Sequence, residues 1–62
     1  MNIQKIMAMC NSFMDLGAKV LIVTKNHSRY EVTPDTICFN GKIWNSEWKI
    51  YVEDVERIEL AQ

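Results

Sequence analysis

The spacing of apolar residues changes at Gly17, and this change constrains the fold more than any other feature of the chain. Before Gly17, apolar side chains recur every three or four residues, which is the period of one face of an α-helix. After Gly17, β-branched and aromatic residues form short runs separated by turn residues, a pattern typical of a strand meander. The sequence therefore predicts one α+β domain over residues 1–62, with a helix at about residues 3–16 followed by a small antiparallel sheet of four or five strands.

The predicted helix has capping residues at both ends and an apolar face that is wider than one sheet contact requires. Asn2 is the expected N-cap, and Gly17 is the expected left-handed residue after the last turn. Met9 and Leu16 lie just outside the main apolar stripe, so we expect both side chains to stay exposed. The stripe itself consists of Ile3, Ile6, Met7, Cys10, Phe13 and Met14.

The Asn40-Gly41 pair is the strongest turn signal in the second part of the chain. Both residues tolerate a positive φ, so the pair favours a two-residue type I′ hairpin between strands at residues 37–39 and 42–44. A 3₁₀ turn is predicted around residues 53–55. The remaining strands are predicted at residues 18–25, 29–33, 47–52 and 57–60. This element order resembles SH3-like and Sm-like barrels, and the alternative is an open meander with the helix across one face.

The chain has more apolar side chains than one small core requires. Hydrophobic residues make up 48% of the 62 residues. The core available to them is small, because a domain of about 60 residues buries only about 60% of the surface that its unfolded chain exposes. The sheet part of the core is assigned to Val20, Ile22, Tyr30, Val32, Ile37, Phe39, Ile43, Trp48, Ile50, Val52, Ile58 and Leu60. The surplus side chains, which need a second surface to pack against, are Met9, Leu16, Leu21, Val23 and Trp44.

The residues that usually carry catalysis or bind metals are few and widely spaced. Cys10, Cys38 and His27 show no metal-ligand spacing, so neither a metal nor a cofactor is expected. His27 lies in a predicted turn without an orienting third group, so no catalytic residue and no enzymatic activity are predicted. With the residues on either side of it assigned to the core, Cys38 faces outward and is the more reactive thiol. No disulfide is predicted, and a cytoplasmic location follows from the reduced thiols.

These observations favour a small non-enzymatic protein-binding module that self-associates, with Met9, Leu16 and Trp44 as its contact residues. Proteins of this size are common in phage and mobile-element genomes, where they bind and block host proteins, so an inhibitor or adaptor is expected. No membrane partner is expected, because the longest apolar run, residues 20–23, is far shorter than the roughly 20 residues of a membrane span.

The alternative function is single-stranded nucleic-acid binding, most naturally RNA, by an Sm-like or SH3-like module. Lys25, Arg29 and Tyr30 place basic and aromatic side chains around one predicted turn, the combination that single-strand binders use. Duplex binding is disfavoured, because the C-terminal residues 47–62 are rich in acids and phosphate neutralisation needs clustered Lys and Arg.

Overall fold

Across residues 3–61, the part of the chain that the computed structural model describes, one helix precedes six short strands. The side chains of Ile3, Gln4 and Ile6 lie outside the described residues, as do the predicted cap Asn2 and the terminal Gln62. The elements are α1 (Ile3–Asp15), β1 (Lys19–Thr24), β2 (Arg29–Glu31), β3 (Ile37–Phe39), β4 (Lys42–Trp44), β5 (Lys49–Tyr51), a 3₁₀ turn (Val52–Asp54) and β6 (Val55–Ala61). The predicted α+β class is confirmed. Each of the six predicted strand ranges contains or overlaps one of the six strands, although a single sheet of four or five strands was expected.

The helix ends as predicted, at a glycine in the left-handed conformation. Gly17 has a φ of +86°, and its N–H donates to the carbonyl of Met14 over 2.9 Å. The N–H of Ala18 donates to the carbonyl of Phe13 over 3.0 Å, which completes a Schellman motif. The chain therefore turns directly into β1 and leaves Leu16 83% exposed.

The strands form two separate antiparallel sheets, each with three strands. We call β2-β1-β6 the first sheet and β3-β4-β5 the second sheet, in their spatial order. Within residues 3–61 no strand ladder joins the two sheets, so the strands do not close into a barrel, and the predicted SH3-like or Sm-like barrel is not confirmed. The break falls at Pro34, which follows β2 and has no N–H to donate to a ladder, and at the 3₁₀ turn between β5 and β6.

The core lies where the helix meets the inner faces of both sheets. The helix contributes Met7 and Cys10, and Phe13 and Met14 pack against this cluster. The two sheets contribute the buried side chains of Val20, Ile22, Ile43, Ile50 and Val55, and Val32, which follows β2 directly, adds another. Most of the core assigned from the sequence is therefore confirmed, and Val55 is an addition to it.

Three residues assigned to the core are exposed instead, namely Ile37, Phe39 and Leu60. The cause at the first two is the hairpin register: Cys38 is the partner of Ile43, which is fully buried, whereas Phe39 is the partner of Lys42. Residues that face each other across a ladder share one side of the sheet, so Cys38 packs inward and its two neighbours point outward. Leu60 lies near the end of β6, an edge strand of the first sheet.

Val23 is buried although it is not part of the core cluster. The sequence leaves Val23 as a surplus side chain, and it is indeed outside the core cluster, yet it is only 1% exposed. Its two cross-strand partners are Arg29 on β2 and Arg57 on β6. The two arginines therefore flank Val23 on the outer side of the first sheet, where an arginine can lay its aliphatic stem along an apolar surface while its guanidinium stays in water.

Candidate binding surface

The side of the second sheet that faces away from the core carries an unusual set of side chains. Strand pairing arranges them in two rows, because Trp44 is the partner of both Ile37 and Lys49, and Lys42 is the partner of both Phe39 and Tyr51. The opposite side carries the core residues Cys38, Ile43 and Ile50. We call the outward set the aromatic face; its members are Ile37, Phe39, Lys42, Trp44, Lys49 and Tyr51.

Apolar side chains on the aromatic face are well exposed. Phe39 is 70% exposed and Ile37 is 50% exposed. Tyr51 is exposed, and Trp44 is half-buried between its two cross-strand neighbours. Single exposed apolar residues are normal on a protein surface. Four in neighbouring ladder positions form a contiguous patch, and such patches mark interaction sites.

The charged members of the aromatic face are both lysines, and none of its six residues is acidic. Among the described residues, neither Lys42 nor Lys49 has a carboxylate within ion-pair distance. The ammonium of Lys49 lies 5.7 Å from the centre of the Tyr51 ring, within the range of a cation–π interaction. The aromatic face is thus both apolar and locally positive, although the whole chain has a net charge of −1.

The outer side of the first sheet has the opposite character, because its charges are paired. Arg29 Nε lies 2.9 Å from Glu59 Oε1, and Arg57 Nη2 lies 3.1 Å from Glu59 Oε2. Hydrogen bonds from Arg29 and Arg57 lower the pKa of the Glu59 carboxyl. Lys19 Nζ lies 3.3 Å from Glu31 Oε1. The charged side chains named here are therefore already paired with side chains of opposite charge.

A surface cavity of about 320 Å³ adjoins the aromatic face beyond β5. Lys49 and Tyr51 belong to both the cavity and the aromatic face, and Lys25 and Tyr30 complete the basic and aromatic part of the lining. Asp54, from the 3₁₀ turn, also lines the cavity. The cavity therefore brings together two residues of the predicted nucleic-acid site and one acid.

The turn that leads into β5 is held by Asn45, a residue that the sequence pattern does not single out for function. Its side-chain nitrogen donates to the hydroxyls of Thr33 and Thr36, over 3.1 Å in each case. Its side-chain oxygen accepts from the backbone N–H of Glu47 over 2.8 Å and from that of Trp48 over 3.1 Å. Asn45 thereby joins the loop after β2 to the turn between β4 and β5, which fixes the edge of the aromatic face.

Asp35 adds to the same hydrogen-bonded cluster. The Thr33 hydroxyl and the backbone N–H of Ser46 donate to its carboxylate, and these hydrogen bonds lower the pKa of Asp35. A negatively charged acceptor makes stronger hydrogen bonds than a neutral one. The loop after β2 therefore holds the turn that follows β4.

Trp48 links the two sheets. Its indole N–H donates to the backbone carbonyl of Glu31 on β2 over 3.1 Å, and its ring centre lies 5.3 Å from that of Tyr30. The half-buried Trp48 ring packs against the core, as predicted. The two sheets are therefore held at this point by an indole hydrogen bond and a tilted aromatic pair.

The predicted binding residues fall on different parts of the molecule. Met9 and Leu16 are exposed on or next to α1, whereas Trp44 belongs to the aromatic face. Of the predicted nucleic-acid residues, Lys25 and Tyr30 line the cavity, but Arg29 is engaged by Glu59 on the first sheet. The structure therefore does not bring either predicted triad together as a unit.

The remaining candidates for chemistry show no catalytic arrangement. His27 is exposed in the turn between β1 and β2, where its φ is +70°, and its backbone N–H donates to the carbonyl of Thr24 over 2.9 Å. Cys10 and Cys38 are both free thiols, and burial raises the pKa of each. The prediction that Cys38 faces outward is wrong, because its strand parity directs it toward the core.

The aromatic face could have been found from the sequence by counting across the hairpin. A two-residue turn at Asn40-Gly41 pairs residue 39 with 42 and residue 38 with 43. If Ile43 is placed in the core, Cys38 must also face inward and Phe39 must face outward. The prediction assigned the faces of these two strands independently, and so missed this constraint.

Comparison with known proteins adds no relative: no family model, curated protein or solved structure matches the chain. Within the described residues, no helix is long and apolar enough to cross a membrane. The same part of the chain contains no group of three or more His, Cys, Asp or Glu side chains that could hold a metal ion. The functional argument therefore depends on the surfaces described above.

Proposed function

We propose that the protein is a non-enzymatic protein-binding module, an inhibitor or adaptor, whose contact surface is the aromatic face. The observation that carries this proposal is the exposure of Phe39, at 70%, beside other large apolar side chains on one side of the second sheet. Aromatic side chains near the centre of an interface supply a large share of binding free energy, because a partner removes their surface from water.

A different protein fits the aromatic face better than a second copy of the chain. In a two-fold symmetric dimer the same patch meets itself, so Lys42 and Lys49 would share one interface with the same two lysines of the other copy. Like charges in contact oppose association. Self-association through Met9 and Leu16, which lie apart from this face, stays a separate proposal that light scattering on the purified protein tests.

Single-stranded nucleic acid is the second candidate partner. Lysines alternate with aromatic side chains on the aromatic face, and Lys25 and Tyr30 extend this pattern into the cavity. Such a combination supplies both base stacking and phosphate neutralisation. A fluorescent oligonucleotide at low salt tests this candidate, and the absence of binding would remove it.

We also propose a cellular location and an origin for the protein. A cytoplasmic location is supported by the two free thiols, since disulfides are the rule in small secreted domains. An origin in a phage or mobile element, and kinship with SH3-like or Sm-like barrels, are supported only by size and by element order. Neither carries weight for function, because such folds host many unrelated roles.

The proposed function is tested by comparing two variants that remove an exposed apolar side chain from different places. Phe39→Ser changes the aromatic face, and Leu16→Ser changes the end of the helix, where the side chain is even more exposed. Both variants and the unchanged protein are used as baits in a lysate of the source cells, with bound proteins quantified by mass spectrometry.

We expect at least one protein to be retained by the unchanged chain and by Leu16→Ser but lost with Phe39→Ser. Circular dichroism confirms that each bait is folded. If Phe39→Ser retains the same proteins as the unchanged chain, the aromatic face is not the contact surface and the proposal fails.

A further inference from the structure

We infer that the partner presents an acidic segment to the aromatic face, with apolar side chains that cover Phe39 and carboxylates that reach Lys25, Lys42 and Lys49. This inference rests on the proposed function and names the chemistry of the protein partner. It depends on how the basic residues are distributed between the two sheets.

The basic residues divide into two groups according to their neighbours. On the first sheet, Lys19, Arg29 and Arg57 each lie within ion-pair distance of a glutamate. Among the residues that the structure describes in the sheets and their turns, Lys25, Lys42 and Lys49 have no carboxylate within that distance. All three lie on or beside the aromatic face, because Lys25 lines the cavity that Lys49 shares with it.

This distribution makes the aromatic face complementary to negative charge. The six outward positions of the second sheet contain two lysines and no acid. Lysines that have no acid of their own chain nearby can pair with carboxylates of a partner, which accelerates association and disfavours partners of the wrong charge. The acids of the first sheet do not compete, because Glu31 and Glu59 already contact basic side chains.

An acidic protein segment fits this surface better than a nucleic-acid strand. A phosphate backbone carries a charge at every nucleotide and needs a continuous basic track, but Asp54 lines the same cavity as Lys25 and Lys49. A peptide can place its carboxylates selectively near the lysines and leave the region around Asp54 uncharged. Ile37 also offers an aliphatic contact, which suits an apolar side chain better than a base.

The inference is tested by selecting random peptides displayed on phage against the immobilised full chain. The same selection is run on Phe39→Ser, on Lys42→Glu and on Lys49→Glu. Lys19→Glu is the matched control, because it makes the same change of charge on the first sheet, away from the aromatic face. Selected peptides are synthesised and their affinities are measured at low and high salt, and a fluorescent oligothymidylate is measured in parallel.

We expect enriched peptides to combine acidic residues with aromatic or aliphatic ones. Their dissociation constants should rise about tenfold with Lys42→Glu or Lys49→Glu and with added salt, and should change little with Lys19→Glu. Binding should be lost with Phe39→Ser.

Each other outcome overturns a defined part of the argument. Enriched peptides that are neutral or basic, and that depend on Phe39 but not on the lysines, overturn the acidic partner and leave the proposed function standing. Peptide binding that is indifferent to Phe39→Ser overturns both. Oligothymidylate binding that requires Phe39 and Lys49, with no peptide enriched, also overturns both and assigns the aromatic face to nucleic acid.

Discussion

The outer sides of the two sheets differ in how far their apolar side chains are exposed to solvent. On the first sheet, Val23 lies outside the core cluster but is only 1% exposed, between Arg29 and Arg57, which both pair with Glu59. On the second sheet, Phe39 lies outside the core and has only Lys42 as its ladder partner. The chain thus closes one outer surface with its own side chains and leaves the other open.

The difference between arginine and lysine explains much of this contrast. Arginine has a planar fork that binds a carboxylate in a fixed geometry while its stem covers the neighbouring apolar surface. Lysine carries a compact, strongly hydrated charge on a flexible stem, so it covers less and stays available to a partner. Position in the sheet contributes as well, because Val23 lies on the central strand β1 with a neighbour on each side, whereas Phe39 lies on the edge strand β3 with a neighbour on one side.

The largest expected effect is a loss of binding when the aromatic face is changed. Phe39→Ser should weaken binding of the partner or of selected peptides by about 2–4 kcal/mol, because it removes the most exposed large apolar side chain of the aromatic face. The same variant should leave the midpoint of urea unfolding nearly unchanged, since the ring is mostly in water before binding. Isothermal calorimetry and urea unfolding measure the two quantities, and a large loss of stability would show that Phe39 supports the fold instead.

The reverse result is expected on the first sheet. Val23→Ala should lower the free energy of unfolding by about 1–3 kcal/mol, because it leaves a gap beneath the two arginines, and it should leave peptide binding unchanged. Urea denaturation monitored by tryptophan fluorescence gives the stability. A variant as stable as the unchanged chain would mean that the arginine cover contributes no packing.

Substitution of Asn45 tests how much the turn that borders the aromatic face contributes to stability. Asn45→Ala should lower the free energy of unfolding by about 1–2 kcal/mol, because it removes hydrogen bonds to two hydroxyls and two backbone N–H groups. Ser46→Ala is the comparison variant in the same turn, since it keeps the backbone N–H that donates to Asp35 and removes only the Ser46 hydroxyl, which also hydrogen-bonds that carboxylate. Equal stability of the two variants would contradict this role of Asn45.

The smallest effect concerns the acid sensitivity of the first sheet. Because Arg29 and Arg57 hold the pKa of Glu59 below its ordinary value of 4.5, ionised Glu59 stabilises the native state above that pH. This contribution is lost as the pH falls through the lowered native pKa. Urea midpoints measured from neutral pH to below 4.5 should therefore fall less steeply for Glu59→Gln than for the unchanged chain.

Some acid sensitivity should persist in Glu59→Gln, because hydrogen bonds from the Thr33 hydroxyl and from the backbone N–H of Ser46 also lower the pKa of Asp35. Identical pH profiles for the variant and the unchanged chain would show that the ion-pair cluster does not contribute to folding.

Local signals predicted much of the fold. The end of the helix at Gly17 is confirmed by its positive φ, and the hairpin at Asn40-Gly41 by the positive φ of both residues. The 3₁₀ turn before β6 is confirmed within one residue. These features are determined by backbone conformations that few residue types adopt, so a short stretch of sequence is sufficient to predict them.

The candidate site was harder to predict because it depends on which side of a three-residue strand faces the core. Hydrophobicity favours Ile37 and Phe39 over Cys38 as inward residues, but the ladder with β4 places Cys38 beside the buried Ile43. In so short a strand, register outweighs the hydrophobicity of single residues. Trp44 is the one predicted protein-binding residue that the aromatic face includes.

The sequence by itself determined the helix, the turns and the strand-forming second part, because these follow from spacing and from the conformations that glycine and asparagine allow. Only the tertiary structure decided which apolar side chains the protein covers. The contact between Arg29 and Glu59 joins residues 30 positions apart, and the cover over Val23 requires three aligned strands. Cross-strand neighbours are set by long-range pairing, so the covered first sheet and the open aromatic face become visible only when the strands are in register.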